Sequence, residues 1–375
     1  MFLHREEERA LLSRLPSKEA LALTGPRRSG KTTLAKRLLE AWKARGGKGD
    51  YLDLEELGAP STAAALAAIL DAMPKGSLAV LDEVQALDGW VKAVRSQVET
   101  GKRHIMVSGS SASLLSSEIA SSLGGRAIPF IVLPLSYRDA RMWGIASLEK
   151  YMEVGGYPEC VLRPGEAPTL HKLYLELTVL RDVAARKGIR EAKPLSDLAL
   201  LLLSEPGKAV SAAKTSARLG ISQPTFRSYV QAFNDAFLIL SVPPFLRSPR
   251  ERIVADARHY AFDVGLSRSV SISASQDSGR RLENLVAVEL FRRGYSLSYL
   301  RGADSECDFI AQKAGSGTLA VQVWSGDGKP PERECEGLLL GMRQCRAKGL
   351  LLSPEAHPPP KGASSLSIED WLLEG

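Results

Sequence analysis

The sequence predicts an α/β chain that opens on a parallel sheet with helices on both faces, continues through a mainly helical stretch, and ends in a smaller α/β region. Three observations carry this. Short apolar runs alternate with amphipathic stretches over the first third, the pattern of strands buried on both faces and joined by crossover helices. Helical spacing dominates from residue 143 to 266, and several strand-like runs follow from residue 296 onward. At 375 residues two or three domains are expected, and the pattern sets them at 1–142, 143–266 and 267–375.

Residues 20–24 (ALALT) read as the first strand and 31–44 as the helix after it. Strands at 48–54, 78–81 and 104–108 follow, an Ala-rich helix at 61–73 lies among them, and 128–135 closes the sheet. In the middle region, 210–221 and 222–238 read as two helices joined by a turn at Gly220. Ser222 is suited to cap the second helix, and Pro224 falls in its first turn, where a missing N–H does no harm. Residues 252–262 are expected to supply a β-hairpin, which would complete a winged helix-turn-helix. Residues 267–279 are small, polar and unpatterned, and read as a linker or loop. A helix at 281–293 and strands near 296–300, 307–311 and 319–323 build the last region, with a proline-rich surface turn at 354–362.

Composition narrows the function classes. Hydrophobic residues make up 44% and charged residues 25%, close to the globular average, so cores can form throughout. A formal charge of +6 permits nucleic-acid contact without requiring it. Cys160, Cys307, Cys335 and Cys345 are widely spaced and form no CxxC pair, which argues against a zinc site or disulfide framework and for a reducing cytoplasm. The N-terminal residues lack the apolar core of a signal peptide, and no apolar run approaches the ~20 residues of a membrane span. A soluble, cytoplasmic protein without a membrane partner is the expectation.

The strongest motif is Gly25, Pro26, Arg27, Arg28, Ser29, Gly30, Lys31, Thr32 and Thr33, which fits GxxxxGK[ST] between a predicted strand and a predicted helix. Glycines at those positions let backbone N–H groups close around phosphate oxygens. Lys31 would reach the β and γ phosphates, Thr32 would lend its hydroxyl to Mg²⁺, and the helix would aim its positive end at the anion. ATP and Mg²⁺ are thus the expected cofactors of this P-loop, or Walker A, site. The run LAVL followed by Asp82 and Glu83 places two acids at the C-terminal end of a buried strand, where parallel sheets bind ligand. Asp82 would hold Mg²⁺ and Glu83 would orient or deprotonate the attacking water. Ser108, Ser110 and Ser111 end the next strand and read either as phosphate-sensing groups or as turn formers. Arg126 reads either as an arginine finger for a neighbouring subunit or as a surface residue.

These residues resemble the archaeal and bacterial AAA-type ATPases that join a GPRRxGKTT loop and a DEVQ acid strand to a C-terminal domain of uncharacterised function. The resemblance runs through Trp90, SGSSASLL at 108–115, GGR at 124–126, LPLSYRD at 133–139 and GGYPE at 155–159. It continues through Arg181 and Asp182, LENLVAVELFRRG at 282–294 and ECDF at 306–309. It implies an AAA-like P-loop ATPase, a winged helix and a restriction-nuclease-like α/β domain. In such a domain a helix glutamate, a strand aspartate and an (E/Q)-x-K triplet hold a divalent metal and a phosphodiester. Glu283 and Asp308 fit the first two places. The triplet reads Gln322, Val323, Trp324, with Lys329 as a distant substitute, so a degenerate site without nuclease activity is expected. Glu283 reads equally well as a helix cap or an ion-pair partner of Arg280 or Arg281.

A winged helix would place Gln223, Thr225, Arg227 and Ser228 against DNA, with Arg247, Arg250, Arg252 and Arg258 of the wing neutralising phosphates. A DNA-associated ATPase, self-associating if Arg126 acts between subunits, is therefore the leading expectation. A nucleotide-dependent switch acting on protein partners and an ATP-gated metal-dependent nuclease are the alternatives.

Overall fold

The computed structural model describes residues 5–110, 123, 125–246, 248, 251, 255–271, 278–326 and 328–374. The chain divides into two compact units, Met1–Leu135 with Asp235–Phe237, and Ser136–Asn234 with Leu238–Gly375.

The first unit carries a five-stranded, wholly parallel sheet. Its strands are β1 (Ala20–Thr24), β2 (Gly49–Asp53), β3 (Leu78–Asp82), β4 (His104–Gly109) and β5 (Ala127–Ile131), in the order β2-β3-β4-β1-β5. Alternate residues of a strand face opposite sides, and both sides are covered. Leu21, Leu23, Leu78, Val80 and Met106 pack against α1 (Glu6–Leu12) and α2 (Lys31–Ala44). Ala20, Ala22, Ala79, Leu81, Ile105 and Val107 pack against α3 (Ala63–Ala72) and α4 (Trp90–Thr100). Two buried faces explain why these strands read as continuous apolar runs. The strand order brings the C-terminal ends of β3, β4 and β1 side by side. Strand β5 ends at Ile131, short of the expected 135, after which the Val132 N–H still donates to the Thr24 carbonyl at 2.7 Å.

The second unit begins with α5 (Tyr137–Met142), α6 (Leu148–Val154), α7 (Pro158–Leu162), α8 (Ala167–Leu177) and α9 (Lys193–Ser204). A three-stranded antiparallel sheet follows, β6 (Ala209–Val210), β7 (Ile239–Val242) and β8 (Ala257–Ala261) in the order β6-β8-β7. Two helices, α10 (Ala212–Leu219) and α11 (Gln223–Asp235), intervene between β6 and β7. Gly220 ends α10 in the left-handed conformation, and the Ser222 hydroxyl accepts from the Thr225 N–H at 3.1 Å. The hairpin expected within 252–262 is instead β7 paired with β8. Its first strand directly follows α11 and was hidden by the continuous apolar periodicity of residues 226–242.

Residues 267–279 are also not simply a linker, because α12 (Val264–Val270) occupies their first part. Asp263 caps that helix through a 2.8 Å bond from the Leu266 N–H and also accepts from the Gly156 N–H at 2.7 Å. A Cβ on Gly155 would stand 2.1 Å from the Asp263 carboxylate, so the GG pair permits this close approach. The chain then forms α13 (Ser278–Arg292) and a mixed sheet ordered β13-β12-β11-β10-β9, comprising β9 (Ser296–Arg301), β10 (Glu306–Lys313), β11 (Gly317–Val323), β12 (Lys348–Ser353) and β13 (Ala363–Ser367). Helix α14 (Glu332–Cys345) packs on it through Leu338, next to Cys307, Ile310, Ala320 and Leu351.

Candidate functional site

The segment between β1 and α2 forms a tight loop. Gly25 has φ +148°, and a Cβ there would lie 2.2 Å from the Val132 carbonyl oxygen. Gly30 (φ +93°) and Arg28 (φ +67°) are also left-handed. Arg28 is exposed and Arg27 half-buried, while Pro26 and Ser29 are buried. The first helical bond of α2 runs from the Leu34 N–H to the Gly30 carbonyl at 2.9 Å, leaving the N–H groups of Lys31, Thr32 and Thr33 outside the helical ladder. Lys31 is buried, and its ammonium donates to the carbonyls of Gly25 at 3.0 Å and Pro26 at 2.8 Å. The cradle of N–H groups, the folded-back ammonium and the helix terminus together suit a polyphosphate. Arg5 steadies it from outside, donating to the Ser29 carbonyl and to the Leu133 carbonyl, each at 2.6 Å. The sequence reading missed Arg5, because nothing local links an arginine twenty residues upstream to the loop.

Asp82 ends β3 with 1% exposure. Its Oδ1 accepts from the Ser108 hydroxyl and, at 3.1 Å, from the Glu83 N–H, and its Oδ2 accepts from the Tyr51 hydroxyl at 2.6 Å. Burial and Asp82 together push the Tyr51 phenol well up, so it stays a donor. Glu83 is half-buried and sits in the left-handed region (φ +50°, ψ +47°), a conformation that for a non-glycine residue costs about 1–3 kcal/mol and gathers at functional sites. The Gln85 amide donates to its carboxylate. Ser110 is fully buried, and Ser111 lies outside the described residues. Hard oxygen donors on Thr32, half-buried at the start of α2, and Asp82 suit Mg²⁺. Arg126 lies elsewhere. Its carbonyl accepts from Ala20, at the start of β1, and its exposed guanidinium stands 3.6 Å from Glu99.

The second unit brings Glu283 of α13, Asp308 of β10 and Gln322 of β11 to one cleft of about 230 Å³. A register shift in the β9–β10 pairing falls at Asp308, where bulges typically re-aim side chains. The unexpected member is Arg258 of β8, only 6% exposed. Its guanidinium lies 3.3 Å from Glu283, 2.8 Å from Glu306 and 3.6 Å from Asp308, and stacks 4.6 Å from the Tyr299 ring centre. The Tyr260 hydroxyl donates to Glu283 at 2.6 Å, and the Val323 N–H to Asp308 at 2.9 Å.

Burial pushes both carboxyls up, while Arg258 pulls them back; burial also works against the Arg258 charge, but Tyr260, Glu283, Glu306 and Asp308 more than offset it. Arg258 is therefore not the phosphate-facing wing residue expected from sequence; it pairs with Glu283, whose charged form Arg280 also favours. Gln322 spends its amide on Glu334 at 2.6 Å, Trp324 turns its indole N–H to the Gly328 carbonyl at 3.2 Å, and Lys329 is exposed. Among the described residues, no group of three or more His, Cys, Asp or Glu is arranged to hold a metal ion.

On α11, Gln223, Arg227 and Ser228 are exposed, whereas Thr225 is half-buried with its hydroxyl 2.8 Å from Ser222. Arg247, Arg250 and Arg252 lie outside the described residues. No helix among the described residues is long and apolar enough to cross a membrane.

Residues 17–140 match the family model of an AAA domain (AAA_14), and residues 145–277 match a domain of unknown function (DUF8612). An uncharacterized protein of Haemophilus influenzae is 29% identical over 79% of this chain and 77% of its own length. An uncharacterized protein of Methanocaldococcus jannaschii is 32% identical over 61% of this chain; the alignment spans 57% of that relative. AMPPCP-bound DnaA from Aquifex aeolicus, 14% identical with a TM-score of 0.30, covers 61% of this chain and 86% of its own. PCH-2 of C. elegans, also 14% identical at 0.30, covers 62% and 69%, and both resemblances are partial. The first unit thus has a parallel sheet with a phosphate loop and matches an AAA domain over residues 17–140, and a C-terminal α/β region follows it.

Proposed function

We propose that this chain is a Mg²⁺-dependent ATP-binding and ATP-hydrolysing protein that associates with DNA through a winged helix and carries a nuclease-like domain without nuclease chemistry. The observation that carries the ATPase reading is the meeting of the Gly25–Thr33 loop, the buried Lys31 ammonium and the Asp82–Glu83 pair at one sheet edge. The loop N–H groups and Lys31 bind and orient the β and γ phosphates. Thr32 and Asp82 hold the cation, which when bound neutralises phosphate charge. Glu83, steadied by Gln85, orients water for attack on the γ phosphorus and takes its proton as the bond to the bridging oxygen breaks. Ser108, which hydrogen-bonds Asp82 and lies 3.4 Å from the Glu83 N–H, couples the two acids.

Support for DNA association is the helix-turn-helix with its three-stranded sheet and the exposed Gln223, Arg227 and Ser228 on the second helix. The nuclease alternative is disfavoured by Arg258, whose charge answers the acids a cation would need.

Steady-state ATP turnover of the wild type and Lys31→Ala, with and without single-stranded, duplex and branched DNA, tests the reading. Turnover that requires Lys31 and rises severalfold with one DNA form is expected. Turnover indifferent to Lys31 would end the ATPase assignment, and turnover indifferent to every DNA would favour a switch acting on protein partners. Cleavage of DNA with Mg²⁺ or Mn²⁺, lost in Asp308→Ala, would overturn the degenerate-nuclease assignment.

A further inference from the structure

The parallel register of the edge strand β2 sets Tyr51 opposite Val80 and Asp53 opposite Asp82. Paired residues of neighbouring strands share a face, and Tyr51 packs with Val80 on the side covered by α2. Its side chain leans along the strand toward the ligand edge, where the hydroxyl meets Asp82 Oδ2 at 2.6 Å. The ring is pinned from the other side by the Lys36 ammonium of α2, 4.3 Å from the ring centre. Lys36 stands one turn beyond Thr32 on the same helix face. The phenol thus touches Asp82, one of the two side chains assigned to the cation.

Both oxygens of Asp82 are engaged, Oδ1 by Ser108 and the Glu83 N–H, Oδ2 by Tyr51. A carboxylate held at both ends has one orientation. Removing either hold frees it to rotate within its pocket. Donors that orient a ligating carboxylate in this way typically change cation affinity by 10–100-fold.

We propose that Tyr51 is a positioning residue for the divalent cation of the phosphate-loop site, acting by fixing the Asp82 carboxylate in its ligand orientation. The proposal rests on the ATP reading above. Tyr51→Phe deletes one oxygen and keeps the ring with its Lys36 contact. The test follows binding of a fluorescent ATP analogue in EDTA and across a Mg²⁺ titration, together with the Mg²⁺ dependence of turnover. The variant is expected to bind the analogue in EDTA as the wild type does, and to need about tenfold more Mg²⁺ for the half-maximal effect. Turnover at saturating Mg²⁺ should fall less than that.

Because Tyr51 acts through Asp82, adding Tyr51→Phe to Asp82→Asn should leave the Mg²⁺ midpoint where Asp82→Asn alone puts it. An unchanged midpoint in Tyr51→Phe overturns the proposal. So does equal weakening in EDTA, which would make Tyr51 a packing residue of the loop. A wild type that binds no analogue under either condition overturns the ATP reading itself, and this proposal with it.

Discussion

Arg258 is surrounded by carboxylates from two different elements, α13 and β10, and lies over the Tyr299 ring. Removing one partner of a buried charge set leaves the others uncompensated, which typically costs about 3–5 kcal/mol. Arg258→Met should therefore lower the unfolding free energy by that order, read as a lower urea midpoint at unchanged slope. Adding Glu283→Gln should recover part of the loss, since the two residues share one network. A loss below about 1 kcal/mol would mean that the acids find water instead. Glu83 calls for a different readout. Glu83→Gln keeps the side chain's shape but removes the base, so turnover should fall about 10²–10⁴-fold while ATP-analogue binding persists; a variant that loses binding as well would show Glu83 to be structural. The two residues differed in legibility. Glu83 follows an apolar strand behind a phosphate loop, a pattern local enough to read. Arg258 belongs to an arginine-rich stretch, and nothing in that stretch says which arginine turns inward. Only the pairing of β8 with β7 and β6 decides it.

At the level of elements, the phosphate loop owes its shape to backbone conformations that a Cβ would forbid. Gly25→Ala combines a φ of +148° with a 2.2 Å approach to the Val132 carbonyl, so the loop must open or shift away from Val132. ATP-analogue affinity is expected to fall by about tenfold or more, read by titration, with α2 still folded by circular dichroism. The three-stranded sheet supplies a second test. His259 on β8 is buried with its Nδ1 2.9 Å from the Ser241 hydroxyl, and burial lowers its pKa from 6.5 to about 4. The folded state thus prefers the neutral imidazole. That preference is fully present above pH ~6.5 and is lost as the pH falls through ~4, up to about 3 kcal/mol. Urea midpoints should drop across that window in the wild type and stay flatter in His259→Gln; parallel curves would rule the histidine out. The sequence was most legible where an element is long and its burial one-sided or complete, as with β1 and α2, both matching their expected bounds. It was least legible for β7 and α12, short elements whose formation depends on a distant partner, β8 for one and Gly155 for the other. The strands β12 and β13 drew no expectation, because β12 pairs in parallel with β11 across the intervening helix α14, and β13 in turn pairs in parallel with β12.

For the whole molecule, the open matter is whether one copy suffices for catalysis. Arg126 meets β1 at its first residue, whereas the phosphate loop follows its last, and five residues of strand separate the two ends by roughly 13 Å. Within one chain the guanidinium is thus at the wrong end of the sheet to touch a γ phosphate. Its exposure and its loose 3.6 Å pairing with Glu99 leave it able to reach out of the subunit. If it completes the site of a neighbouring copy, the contact is head-to-tail, and two individually inactive variants must complement each other. Lys31→Ala keeps the finger and loses the phosphate site; Arg126→Ala keeps the phosphate site and loses the finger. Mixed in equal amounts, half the subunits carry an intact loop and half of those meet an intact finger, so turnover should recover to about a quarter of the wild-type value. Turnover of the wild type should also fall on dilution. A wild type that stays monomeric with full turnover, or a mixture as inactive as its components, would make Arg126 a surface residue and place catalysis wholly within one chain.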